Sequence, residues 1–244
     1  MKFAVQVYSV RDLIHSGEDL LNILPKIKAL GFDGVDFAGF YGLSAEDLKK
    51  GLDDAGLVCV GAHIGRDDFL PEKLDETLTY MQTLGAPCVG VGGAPTGTET
   101  ELAETIRILG AADAEAKKRG MRVYFHNHTE EFKRPYFAEA PGTVFDRLKA
   151  HMAMELDAYW SFVAGQDNAA LIRENRDHLV HIHIKDGVGH TPVALGEGEN
   201  DLPAIVAAAK EIGLKWLILE NDDPVPDGLS DIGRSMVWLQ ANAR

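Results

Sequence analysis

Short apolar runs alternate with helix-patterned segments along this whole 244-residue chain, and no other feature limits its fold as strongly. The runs read as strands at Phe3 to Tyr8, Gly34 to Phe37, Leu57 to His63, Cys88 to Val91, Arg122 to His126, Met152 to Leu156, Val180 to Ile184 and Lys215 to Leu219. Helices are expected at Gly17 to Leu30, Ser44 to Ala55, Leu70 to Leu84, Glu99 to Arg119, Gly142 to Lys149, Asp167 to Asn175, Leu202 to Ile212 and Ser230 to Ala241. The first of these places Leu20, Ile23, Leu24, Ile27 and Leu30 on one face. Ser44 stands at an N-cap with Asp47 at the acidic position of a capping box, and Gly120 and Gly213 close their helices. Short apolar strands followed by helices imply a parallel sheet covered on its outside. Eight such units in a chain of this length predict an α/β protein made of one closed (β/α)8 barrel over residues 1–244. A doubly wound open sheet is the alternative. No linker or low-complexity tract divides the chain.

Composition excludes several classes of function. A net charge of −14 opposes binding to nucleic acid, whose phosphates are met mainly by surplus Lys and Arg. Cys59 and Cys88 lie inside apolar runs, as buried free thiols do, and not in a disulfide framework. Met1 to Gln6 lacks the apolar core of a signal peptide, and no segment has the length of a membrane span. A cytoplasmic location is therefore expected, with a small molecule as partner and the oligomeric state open.

The strand ends carry the chemistry. His181-Ile182-His183-Ile184-Lys185-Asp186 alternates its imidazoles onto one face of a strand and then terminates in ionisable groups. Asp36, His63, His126, Asp157 and Glu220 occupy corresponding ends on other strands. In a (β/α)8 barrel these ends meet at the C-terminal mouth, where active sites of this fold lie. Carboxylates and neutral imidazoles around one point suit Mn²⁺, Zn²⁺, Co²⁺ or Mg²⁺. Asp157, His183 and Glu220 are the strongest ligand candidates. The fifth strand offers two more, His126 at its end and Glu131 in the following loop.

A metal there would polarise a carbonyl or hydroxyl pair and ease removal of a proton from the adjacent carbon. His128 is the candidate general base, with Glu131 as its competitor if His126 holds the metal. Lys185 either neutralises a developing oxyanion or forms an ion pair with Asp186 or another carboxylate. Trp160 and Tyr159 form either an apolar wall for a sugar face or part of the core. Gly196-Glu197-Gly198-Glu199 lacks the Lys and Ser or Thr of a phosphate-binding loop, and no helix directly follows Gly90-Val91-Gly92-Gly93 as a dinucleotide turn requires.

Several motifs in order resemble one family. They are Gln6 to Asp12, Gly31 to Asp36, Phe125-His126-Asn127-His128 with Glu131-Phe132, Glu155 to Trp160, His183 to Asp186, Leu195 to Glu199 and Ile218 to Asp222. The chain is similar to the xylose isomerase-like TIM barrels, the sugar phosphate isomerases and epimerases. The resemblance implies a divalent-metal site with Asp157, His183 and Glu220 as ligands. Many relatives place a Glu where His126 stands. The chain resembles a subgroup with a His-Asn-His-x-x-Glu-Phe pattern, in which Glu131 becomes the replacement ligand. His128 and Lys185 are then catalytic, and His63, His126, Trp160 and Glu197 bind substrate. Asp36 replaces a Glu frequent in the family, shortening its second acid/base. The activity implied is a metal-dependent sugar or polyol isomerase or epimerase. A lyase or dehydratase on a keto-sugar or keto-inositol begins with the same proton abstraction, and a non-catalytic sugar-binding barrel is the remaining alternative. A metal nuclease is opposed by the acidic charge.

Overall fold

Eight parallel strands close into a barrel in a computed structural model of the chain, which describes residues 1–133 and 142–244. The strands are β1 (Lys2–Gln6), β2 (Gly34–Ala38), β3 (Val58–His63), β4 (Cys88–Val91), β5 (Arg122–His126), β6 (Ala153–Asp157), β7 (Leu179–Ile184) and β10 (Trp216–Leu219). They neighbour one another in chain order, and β10 returns to pair with β1. An antiparallel hairpin, β8 (Asp186–Val188) and β9 (Thr191–Val193), rises from the mouth after β7. The helices are α1 (Gly17–Leu30), α2 (Ala45–Ala55), α3 (Pro71–Leu84), α4 (Glu99–Lys118), α5 (Glu130–Lys133), α6 (Val144–Lys149), α7 (Ala158–Val163), α8 (Asn168–Glu174), α9 (Leu202–Glu211) and α10 (Gly228–Asn242). None of them is long and apolar enough to cross a membrane.

Local signals in the sequence set many of these boundaries. Ser16 and Ser44 accept backbone N–H groups of Asp19 and Asp47 and so start α1 and α2. The first strand stops at Gln6, before the expected Tyr8, because the Gln6 side chain accepts the Tyr8 N–H and opens a 3-10 turn over Val7–Leu13. The sixth strand runs on to Asp157, whose carboxylate accepts the N–H groups of Tyr159 and Trp160 and starts α7. The sequence gives no warning of the β8–β9 hairpin. It is organised by the buried Asp186, which accepts N–H groups of Gly187, Gly196, Gly198 and Asn200. The Gly-Glu-Gly-Glu segment is thus a loop folded round a carboxylate. A Cβ at residue 198 would lie 2.3 Å from Asp186 Oδ1, so that residue must be glycine.

The core has two shells. A continuous apolar layer, including Val5, Leu20, Ile27, Phe37 and Ile182, joins the outside of the barrel to the helices. Inside, Ala4, Val60, Trp216 and Ile218 pack together, and Cys88, Tyr124 and Ala153 form a second cluster. Both cysteines are buried and free. Above these clusters the interior turns polar, and the site lies there.

On the outer shell, the buried Asp113 accepts hydrogen bonds from the Arg122 guanidinium at 2.9 and 3.2 Å and from the Val123 N–H at 2.8 Å. Lys117 Nζ lies 2.8 Å away. Burial raises the pKa of this carboxyl, but its partners outweigh burial and hold it below the usual value. Its stabilisation is therefore present above the unfolded-state pKa and fades as pH falls through the folded one. Asp113→Asn should lower stability by about 2 kcal/mol in urea unfolding at pH 7, since both cations are partly exposed. The difference from wild type should shrink at pH 3.

Candidate metal and catalytic site at the barrel mouth

Strand register brings the ionisable groups together. Asp36 is level with Gln6 on one side and Gly61 on the other, and Ala38 is level with His63. His126 faces Glu155 across β5 and β6, while Asp157 faces His183 across β6 and β7. Two sets of donor atoms result, each with its members within 4.8 Å of one another. The first is His126, Asp157, His183 and Glu220, all buried. The second is His63, His126, Glu155 and His183.

His183 faces both sets. Its Nδ1 lies 3.0 Å from Glu220, and its Nε2 lies 3.2 Å from both Asp36 and Glu155. His126 likewise has Nε2 3.8 Å from Asp157 and Nδ1 3.3 Å from Glu155. Glu155 is the lower hub, also contacting His63 Nε2 at 2.5 Å and His181 Nδ1 at 3.4 Å. The upper hub is Lys185, whose Nζ donates to Asp157 at 3.2 Å and Glu220 at 3.0 Å and lies 2.5 Å from Asp222.

Burial opposes every charge here, and the neighbours decide the outcome. His183 is raised well above the usual imidazole value, because Glu155 and Glu220 overcome desolvation. Glu155 and Glu220 are both held well below the carboxylate range against burial, Glu155 by His183 and His63, Glu220 by Lys185 and His183. Asp36 moves up, through burial and the charge of Glu155. Burial pushes His126 down to about 3, which leaves it a neutral imidazole, the form that ligates metal.

These residues fit a divalent ion. Asp36, Glu155, Asp157 and Glu220 are at most 5% exposed, and Lys185 is the one obligate cation among the described residues that pairs with them. His126 Nδ1, Asp36 Oδ1 and Glu155 Oε1 are buried without a well-directed hydrogen bond among the described residues, although imidazole nitrogens lie 3.3 and 3.4 Å from Glu155. Without an ion, protonated His63 and His183 balance part of this charge, and a bound divalent ion would take the place of the His183 proton. In protein stripped of divalent ions, Glu155→Gln should cost about 3–5 kcal/mol near neutral pH. It removes the countercharge of His63 and His183, both of which have raised pKa values. The pairing is lost as pH rises through the raised imidazole pKa values, and lost again as pH falls through the lowered pKa of Glu155. Urea unfolding of the two apo-proteins measures the cost.

The expected site residues separate into groups. A cavity of about 540 Å³ at the mouth is lined by His63, His126, His128, Trp160 and Glu220, together with Tyr8 and Asp222. His128 is exposed there, its ring 5.0 Å from that of His126. Glu131 belongs to neither donor set; its buried carboxylate accepts the His128 N–H at 2.8 Å. Lys185 is fully buried, with three carboxylates for partners and not Asp186. Tyr159 is core, donating its hydroxyl to Gly189 O. Glu197 lies outside the cavity lining and pairs with Arg234 at 2.8 Å. Glu155 is absent from the sequence-based set because it sits inside an apolar run. Counting back two residues from Asp157 on the same strand places it on the inward face.

Comparison with known proteins agrees with this architecture. A family profile described as xylose isomerase-like TIM barrel matches residues 24–242. The chain is 22% identical to the 3-dehydro-D-guloside 4-epimerase of Escherichia coli (strain K12), over 91% of this chain and 95% of that one. A sugar phosphate isomerase/epimerase from Parabacteroides distasonis ATCC 8503 superposes with a TM-score of 0.82 at 21% identity, covering 98% of each chain. The probable 3-DHS dehydratase of Bacillus anthracis shares the fold at a TM-score of 0.75 and 15% identity, with 100% of both chains covered. With the profile spanning nearly its whole length and its eight strands closed in the matching topology, the chain belongs to the xylose isomerase-like TIM-barrel family.

Proposed function

We propose that this protein is a divalent-metal-dependent epimerase or isomerase of a keto-sugar, working by proton abstraction beside a carbonyl. The observation that carries the reading is the buried set His126, Asp157, His183 and Glu220, of which His126 and Glu220 reach a cavity that also holds an unburied imidazole, His128. Those four residues would hold the ion, with His126 in the place the sequence offers to Glu131. Glu131 already has a task, anchoring the backbone of His128. When bound, the ion supplies Lewis-acid polarisation of a carbonyl or hydroxyl pair.

The chain's own groups do the rest. His128, at the mouth, removes and returns the proton, a task suited to an imidazole near neutral pH. Lys185 holds Asp157 and Glu220 in place by donating to both, and Trp160 gives the sugar an apolar wall. The epimerase relative is named for a 3-dehydro-D-guloside, a keto-glycoside in which a ketone acidifies its neighbouring carbons. Incubation of 3-keto-sugars with the Mn²⁺-loaded protein in deuterated water, followed by mass spectrometry, should show deuterium entering recovered substrate and its epimer. Release of water or of an aglycone would make it a lyase, a chemistry that its dehydratase neighbour accommodates on the same fold. No exchange and no turnover across ketose, keto-inositol and keto-glycoside panels would leave a sugar-binding barrel.

A further inference from the structure

The mouth cavity has a neighbour. A second cavity of about 530 Å³ lies between the segments after β2 and β3 and one face of α3, and it shares Gly39, Ile64 and Gly65 with the first. Each has the volume of a site for a ligand of roughly drug size, about 300–1,000 Å³, so one sugar ring leaves the second space unfilled. The wall of the second compartment is built. Phe40 stacks on Tyr80 with ring centroids 4.3 Å apart, and the Tyr80 hydroxyl is fixed by donation to Leu43 O at 2.9 Å. The opposite character is close by, in the exposed Glu76, the Lys73–Asp68 pair at 3.0 Å and the Thr77 hydroxyl, which donates to Asp68 O at 2.8 Å and keeps its oxygen as an acceptor. An aromatic surface beside hydroxyl and charged groups is the chemistry that receives a ring with one apolar face and hydroxyls at its edge. The two compartments meet at Gly39, whose φ of +79° favours glycine and whose absent side chain leaves the passage clear.

From this continuity we infer that the substrate is a keto-glycoside whose aglycone is itself a ring: the keto-sugar ring occupies the mouth cavity, and the second ring, joined through the glycosidic oxygen, occupies the compartment against Phe40 and Tyr80. The inference rests on the keto-sugar reading of the mouth, and equilibrium binding separates the two. The probes are 3-keto-glucose and its methyl, phenyl and glucosyl glycosides, titrated calorimetrically into the Mn²⁺-loaded wild type and two cavity-filling variants, Thr77→Trp and the surface change Glu76→Trp. The phenyl and glucosyl glycosides should bind at least tenfold tighter than the methyl glycoside. Either variant should reduce that advantage to under threefold and leave the methyl glycoside unchanged. Equal affinities across the series, an advantage that survives both variants, or no binding of any probe would overturn the inference. Ring-dependent binding without deuterium exchange would support the compartment and count against the epimerase reading.

Discussion

Glu220→Ala is expected to purify with less than about a tenth of the wild-type content of divalent metal and to turn over more than a hundredfold more slowly. The carboxylate ends its strand 3.0 Å from His183 Nδ1 and 3.0 Å from Lys185 Nζ, so it both offers a ligand oxygen and anchors two neighbours. Even partners one step removed from a metal cost about ten- to a hundredfold in affinity or activity when removed. A direct ligand should cost more. Lys185 and His183 hold the Glu220 carboxyl well below the usual range, against its burial, so it is anionic near neutral pH. Elemental analysis after mild purification measures the first effect, and equal metal in both proteins would exclude Glu220 from the site.

His128→Ala should show the opposite pattern, with metal content unchanged and turnover lowered by about a hundredfold or more, the scale of lost general-base help. Its ring lines the cavity but belongs to neither donor set, and its backbone is held by Glu131. Deuterium exchange into substrate should fall by the same factor as turnover. Metal loss in His128→Ala would assign that imidazole to the ion. Glu131→Ala is the companion: it should keep its metal, and losing it would return the fifth-strand ligand to Glu131.

The barrel was legible because its evidence is local and repeated. Each unit pairs a short apolar strand with an amphipathic, capped helix, as in α1 and α2, and the topology then follows from chain order. The strand-end residues Asp157, His183 and Glu220 were legible for the same reason, since a polar group closing an apolar strand has few places to go except the mouth. What escaped depends on side chains meeting across distant strands. Glu155 looks like one acid in an apolar run until β6 is set beside β5 and β7 and four imidazoles are found around it. Lys185 reads equally well as a catalyst or as the partner of its neighbour Asp186. Only the fold shows that Asp186 is fully engaged with the loop to Asn200, while the ammonium points to Asp157, Glu220 and Asp222. The contact that Glu131 makes was hidden for a similar reason, because α5 turns its carboxylate back onto the His128 N–H.

Anomalous diffraction from crystals grown with Mn²⁺ distinguishes the two overlapping donor sets directly. One strong peak is expected in contact with His126, Asp157, His183 and Glu220, beside the cavity that His128 lines. A peak between His63, Glu155 and His183 instead, or no peak at saturating Mn²⁺, would contradict that placement.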